Sequence, residues 1–129
     1  MATWAEVQAQ VRRSFQLDRD DDDEFALTIT RQAADPREQR VMVRRYRAWD
    51  REMIEFRSAF GELGDSEPEL LWRDSVHLPH GGIALHGRFL VIVHRECIEP
   101  LSVESVLFLL TRISLVADEL EEKRGDDRF

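Results

Sequence analysis

The first candidates for chemistry are the histidines, all of which fall within one stretch of eighteen residues: His77, His80, His86 and His94. Three or four neutral imidazoles bind zinc when they converge on one point. His77 and His80 are predicted to lie in a loop, whereas His86 and His94 lie on the two strands of a hairpin. Because a strand rises ~3.3 Å per residue, we expect His94 roughly 20 Å from the turn. We therefore expect no metal and no cofactor. A metal- or small-ligand-binding domain over residues 77–94 is the alternative.

Cys97 lies three residues after His94, so these two residues are the first candidates for a thiol nucleophile and its general base. A thiolate nucleophile also needs groups that stabilise an oxyanion, and no residues near Cys97 supply them. A cysteine at a strand end is more often buried and inert. The single cysteine excludes an intramolecular disulfide and is typical of a reducing compartment.

Three other motifs match functional sequences only in part. Asp74, Ser75 and His77 are neighbours in sequence, but catalytic triads are assembled in space. The glycines at 81–82 lack the lysine and the strand-to-helix context of a phosphate loop. The acidic run 18–24 lacks the glycine and the glutamate of a calcium loop, so it predicts a solvated turn. We therefore expect a protein that is not an enzyme.

Composition bounds the class of protein. Hydrophobic residues make up 43% and charged residues 34% of 129 residues, as in a single globular domain. The net charge of -8 argues against nucleic acid as a partner, because phosphate contacts need clustered basic residues. No apolar stretch approaches the roughly 20 residues that span a membrane, and no secretion signal is evident. These features predict a cytoplasmic protein that does not bind membranes.

The last long element, residues 102–124, predicts an amphipathic helix with Ser102 as its N-cap. Its apolar positions recur at three- and four-residue steps: Val103, Val106, Leu107, Leu110, Ile113, Ala117 and Leu120. Leu109 and Val116 widen this apolar arc, whereas Phe108 and Leu115 stand on the opposite side. Arg112 lies beside them. We predict that one face covers a sheet and that the other contacts a second protein. The alternative is a helix buried in its own core.

The rest of the chain predicts an α+β fold. Thr3 and Glu6 form a capping box for a first helix. Alternating apolar residues predict strands at 25–30, 38–48, 52–60, 82–86 and 88–94, with a tight turn near Trp49. A short helix is expected at 70–72, and the apolar run 89–93 predicts the central or best-covered strand. The predicted order is α-β-β-β-α-β-β-α. It forms one domain over residues 1–129, with an antiparallel sheet of about five strands, the long C-terminal helix packed on it, and flexible ends at 1–2 and 125–129.

The second predicted strand carries a basic-aromatic surface. Val41 and Val43 are in phase with the core, which places Met42, Arg44 and Tyr46 on the less buried face. These three residues, with the helix residues 108, 109, 112, 115 and 116, are the predicted partner-binding or dimer-interface residues. Solvated arginines on an exposed strand are the alternative for this face.

This order of elements resembles the YbjN-like domains and the class I type III secretion chaperones of the CesT/Tir-chaperone fold. Five segments are similar in sequence as well: MIEFRSAF at 53–60, ELLW at 69–72, GIALHGRFLV at 82–91, PLS at 100–102 and ADELE at 117–121. The resemblance covers most of the chain from about Phe25 onward and consists of hydrophobic patterns.

The resemblance implies a small acidic bacterial protein that forms a homodimer and binds an extended segment of a partner or client protein. It implies no catalytic residues. The expected function is therefore a non-enzymatic, chaperone-like adaptor. A regulatory subunit or inhibitor in a larger bacterial signalling or defence system is the alternative.

Overall fold

The computed structural model describes residues 2–32, 36–62, 64, 73, 75–79 and 81–123. These ranges contain two long helices and six strands: α1 (Trp4–Ser14), β1 (Leu17–Asp20), β2 (Glu24–Arg31), β3 (Arg37–Ala48), β4 (Arg51–Glu62), β5 (Gly82–His86), β6 (Phe89–Cys97) and α2 (Val103–Lys123). The short helix predicted at 70–72 lies outside the described residues. Neither long helix is long and apolar enough to cross a membrane.

The strands form one antiparallel sheet in the order β1-β2-β3-β4-β6-β5. The predicted α+β class, with its antiparallel sheet and C-terminal helix, is confirmed. The sheet has six strands rather than about five. The strand that carries the run 89–93 lies next to the edge strand β5 rather than at the centre, although Leu90, Val91 and Ile92 are buried as expected.

The additional strand comes from the acidic run. The sequence predicts a solvated turn over residues 18–24, whereas Leu17–Asp20 pairs with β2 through a bulge after Leu17. Ion pairs offset the charge: Arg12 contacts Asp20 at 2.7 Å and Arg45 contacts Asp23 at 2.7 Å. These arginines come from α1 and β3, so the hairpin depends on tertiary contacts that a local pattern does not contain.

The core lies between one face of the sheet and both helices. Every second residue of the central strands points into it, as the period of two requires. Its fully buried side chains include Phe25, Leu27, Val43, Ile54, Phe56, Ile92, Leu110 and Ile113. Trp4 of α1 stacks on Phe25 at 5.4 Å between ring centroids, and Ala2 is also buried, although flexibility was expected for residues 1–2.

The N-caps predicted at Thr3 and Ser102 are confirmed. The Thr3 hydroxyl accepts a hydrogen bond from the Glu6 N–H at 3.2 Å, and the Ser102 hydroxyl accepts one from the Ser105 N–H at 3.0 Å. Each bond satisfies an N–H group that has no partner within its helix.

The C-terminal half of α2 carries two buried carboxylates. Asp118 is 2% exposed and Glu121 is 0% exposed. Arg37 contacts both, at 2.7 Å to Asp118 and 3.1 Å to Glu121, and Arg31 reaches Asp118 at 2.8 Å. These contacts join the end of the helix to the adjoining ends of β2 and β3.

The hairpin between β3 and β4 turns on Trp49 and Asp50, where the sequence predicts a tight turn. Both residues have positive φ, 52° and 58°, and Trp49 is 92% exposed. Two-residue hairpin turns with two positive φ angles favour Asn-Gly, because other L-residues are strained there.

We expect the double substitution Trp49→Asn with Asp50→Gly to raise the free energy of unfolding by about 1 kcal/mol, since it removes backbone strain and almost no packing. Urea unfolding at constant pH measures this difference. A loss of stability in the double variant would show that the indole makes a stabilising contact.

Candidate protein-docking site

Neither described helix packs on the second face of the sheet, which we call the open face. A row of alternating charges crosses four neighbouring strands of it. Glu24 lies opposite Arg44, Arg44 opposite Glu55, and Glu55 opposite Arg95. We call these four residues the charge ladder. Opposite charges directly across strands stabilise a sheet, and the alternation supplies three such pairs in succession.

Glu55 is the centre of the charge ladder and is only 2% exposed. Arg44 donates to its two oxygens from Nε and Nη2, at 3.0 and 2.9 Å, and Arg95 donates from Nε at 2.8 Å. Arg57 lies 3.5 Å away. The carboxylate is therefore enclosed by guanidinium groups rather than by apolar side chains.

The ionisation of Glu55 follows from this enclosure. Burial raises the pKa of Glu55, but the hydrogen bonds from Arg44 and Arg95 outweigh burial and lower the pKa below its usual value. The hydrogen bond with Glu55 likewise raises the pKa of Arg44. Both shifts favour the ionised Glu55–Arg44 pair at neutral pH.

Apolar and sulfur-containing side chains flank the charge ladder. Tyr46 lies opposite Met53, which lies opposite Cys97, and Cys97 Sγ is 3.6 Å from Met53 Sδ. The Arg44 guanidinium carbon lies 4.6 Å from the centroid of the Tyr46 ring, a cation–π contact. Met42 lies on the other side of the ladder, 3.6 Å from Arg57 Nη2. Met42, Arg44 and Tyr46 therefore share one face, as predicted from their spacing.

The other predicted site residues lie on α2, across the sheet from the first group. Phe108 is 57% exposed and Arg112 is exposed, whereas Leu115 is half-buried. Leu109 is buried in the core, and Val116 is half-buried and packs against it. The structure therefore places the predicted residues on two separate surfaces.

A groove of about 380 Å³ lies between the start of α2 and the end of β6. Phe108 and Leu101 supply apolar lining, and Glu96 of β6 lines the opposite wall. The groove brings the exposed aromatic ring of α2 next to an edge of the sheet.

A larger groove of about 660 Å³ lies between the N-terminus and the β3–β4 hairpin. Its lining combines three arginines with three acidic residues: Arg45, Arg47, Arg51, Asp50, Glu52 and Glu99. Arg45 and Arg47 are already paired with Asp23 and Glu52. This groove therefore offers no net charge to a ligand.

The three histidines that the structure describes do not assemble into a centre. His77 and His86 are exposed, and His80 lies outside the described residues. His94 is half-buried, with Nε2 at 2.9 Å from a Glu96 oxygen and its ring 6.3 Å from that of Phe56. Among the described residues, no three metal-ligating side chains converge.

The sequence reasoning missed Glu24, Glu55 and Arg95. Glu55 alternates with Ile54 and Phe56, which predicts an exposed charge on the solvent side of a strand. Its partner Arg95 lies 40 residues away, so only the register of β4 against β6 joins them. The arginine-rich second strand was the one available signal.

Comparison with protein-family models gives no match, and comparison with curated proteins gives none either. The resemblance to the YbjN-like domains and secretion chaperones stays a prediction from hydrophobic segments.

Proposed function

We propose that this chain is a non-enzymatic protein-binding module, a chaperone-like cytoplasmic adaptor that holds an extended segment of a partner protein and acts as a homodimer. The observation that carries the proposal is Phe108. It is a large aromatic side chain, 57% exposed, on a helix whose other large side chains at 106, 109, 110 and 113 are buried.

The surroundings of Phe108 support this function. Aromatic residues in a pocket that excludes water supply most of the affinity of protein interfaces, and polar rims set specificity. Phe108 lies in an apolar groove whose rim carries Glu96 and Glu104. Leu115, seven residues further along α2, is half-buried and extends this apolar surface toward a second copy.

The first test is the molecular mass in solution, measured by light scattering over a concentration series. We expect a dimer that persists on dilution. A strict monomer at all concentrations would contradict the homodimer. A constitutive, stoichiometric partner in purified complexes would instead favour a regulatory subunit.

We expect the double substitution Phe108→Glu with Leu115→Glu to convert the dimer to a monomer, because it places two charges in a desolvated interface. The midpoint of thermal unfolding of the monomer should change little, since Phe108 is exposed and Leu115 is only half-buried. Light scattering and circular dichroism measure the two effects.

The matched control is Lys123→Glu, which makes the same change of -2 in net charge at an exposed position of α2, eight residues beyond Leu115. This control should remain dimeric. Unfolding of the Phe108→Glu/Leu115→Glu protein would place these side chains in the core and contradict a second interacting face of the helix.

A further inference from the structure

We propose that the outer edge of β6, from His94 to Cys97, accepts an extended segment of another protein as an additional strand. That segment would carry a carboxylate opposite Arg95 and apolar side chains toward the groove beside α2, at Leu101 and Leu109. The inference rests on the proposed protein-binding function and names the chemistry of the partner.

The first observation is an edge that the described residues leave open. β5 pairs with β6 only as far as Gly82 opposite Val93, whereas β4 continues to Met53 opposite Cys97. Beyond Val93, β6 is therefore paired on one side only among the described residues. Within β6, the described pairings of residues 94–97 thus differ from those of residues 89–93, which have a strand on both sides.

The backbone direction follows from a hydrogen bond just after β6. The Ile98 N–H donates to the Glu52 carbonyl at 3.0 Å, on the β4 side. Successive residues of a strand point their N–H and C=O groups to alternate sides, so those of Arg95 and Cys97 point away from β4. Two donors and two acceptors thus face the open edge, which is the arrangement that an added strand requires.

The charge ladder ends at the same edge. It alternates acidic and basic residues from Glu24 to Arg95. The next position in the row would be occupied by a residue of the added strand. Arg95 is 52% exposed, and its one ion pair within the described chain uses Nε alone. Its Nη groups can donate to a further carboxylate, which would extend the alternation.

The local charge favours the same partner. Arg44, Arg57 and Arg95 surround Glu55, with Glu24 as the second carboxylate of the cluster, so the cluster has an excess positive charge. The whole protein carries -8. A basic site on an acidic protein selects an acidic segment and repels a basic one at this position.

The opposite face of the added strand meets the groove beside α2. Successive side chains of a strand point to opposite faces, so the neighbours of the carboxylate would point toward Leu101 and Leu109. The segment that fits therefore alternates acidic and apolar residues.

A second copy of this chain fits the edge poorly. Two identical strands pair antiparallel about a two-fold axis. Only two positions of that axis along the strand keep most of residues 94–97 paired with the other copy. One position places Arg95 opposite Arg95 of the other copy, and the other places Glu96 opposite Glu96. Like charges directly opposite destabilise a sheet, so the occupant is a different protein.

The test uses short acetylated peptides and fluorescence anisotropy with the full chain. The probe alternates leucine and glutamate, and two matched peptides carry lysine or glutamine in place of glutamate. We expect the glutamate peptide to bind at least about tenfold more tightly than the lysine peptide, a difference that corresponds to ~1.4 kcal/mol. Arg95→Glu should reverse this order. Arg88→Glu, the same charge change in the turn that precedes β6, should not.

A second variant tests the backbone pairing. Proline at position 97 removes an N–H that points away from β4, so Cys97→Pro should keep the fold and lose the glutamate peptide. In the unsubstituted protein, hydrogen exchange at the amides of Arg95 and Cys97 should slow when the peptide is added.

Each outcome decides the inference. Binding of the glutamate peptide that survives both Arg95→Glu and Cys97→Pro, or equal affinity for the lysine peptide, would overturn it. Lack of binding by all three peptides would also overturn it. None of these results would alter the oligomeric state or its dependence on Phe108, which test the proposed function separately.

Discussion

Replacing Arg37 by methionine is expected to remove roughly 3–5 kcal/mol from the free energy of unfolding, the usual cost of removing one partner from a buried ion pair. Arg37 contacts Asp118 at 2.7 Å and Glu121 at 3.1 Å. The side chains of these carboxylates are 3% and 0% exposed. Methionine fills a similar volume but leaves both carboxylates without this guanidinium in a site that water does not reach.

Urea unfolding followed by tryptophan fluorescence measures this loss. Arg31→Met is the matched control, because Arg31 also contacts Asp118 but its side chain is 39% exposed. It should cost much less than Arg37→Met. Arg37→Lys should be intermediate, since lysine keeps the charge but not the forked geometry that reaches two carboxylates. Equal losses for Arg31→Met and Arg37→Met would show that burial of the carboxylates does not determine the effect.

Glu55→Gln is expected to cost about 2–3 kcal/mol at pH 7, because hydrogen bonds to a charged group contribute more than neutral ones and three arginines then share no central carboxylate. The loss should depend on pH in one direction. The folded-state pKa of Glu55 is lowered, so its contribution is complete above the unfolded pKa of about 4.3 and disappears as the pH falls through the folded value.

The measurement is the difference in unfolding free energy between the unsubstituted protein and Glu55→Gln at pH 7 and near pH 3. We expect a large difference at pH 7 that narrows in acid. Glu24→Gln, with a more exposed carboxylate in the same charge ladder, should show a smaller difference at pH 7. If Glu55→Gln loses the same unfolding free energy at both pH values, the charge of Glu55 does not stabilise the fold.

The fold was predictable where local patterns determine it. Alternation of apolar residues placed β2 and β5, and the hydroxyls of Thr3 and Ser102 marked both helix starts. β1 was not predictable, because an aspartate-rich segment has low strand propensity. Arg12 and Arg45, which come from other elements, form ion pairs with Asp20 of this strand and with Asp23 in the turn after it.

The candidate site was less predictable than the fold. The sequence indicated the exposed face of Phe108 and the shared face of Met42, Arg44 and Tyr46, since both depend on the period of one element. The charge ladder depends on the register of four strands, which no single period contains. The burial of Asp118 and Glu121 depends likewise on Arg37, which lies 81 residues from Asp118.

The two edges of the sheet differ in chemistry, and this difference limits polymerisation. β1, at the side away from β6, has four residues, three of them charged, and a bulge after Leu17. Short, charged and bulged edges prevent strands from joining. A protein that accepts a strand on one side and offers none on the other cannot grow head-to-tail into a filament. Raising the concentration of this protein should therefore produce no fibres, with or without the partner segment.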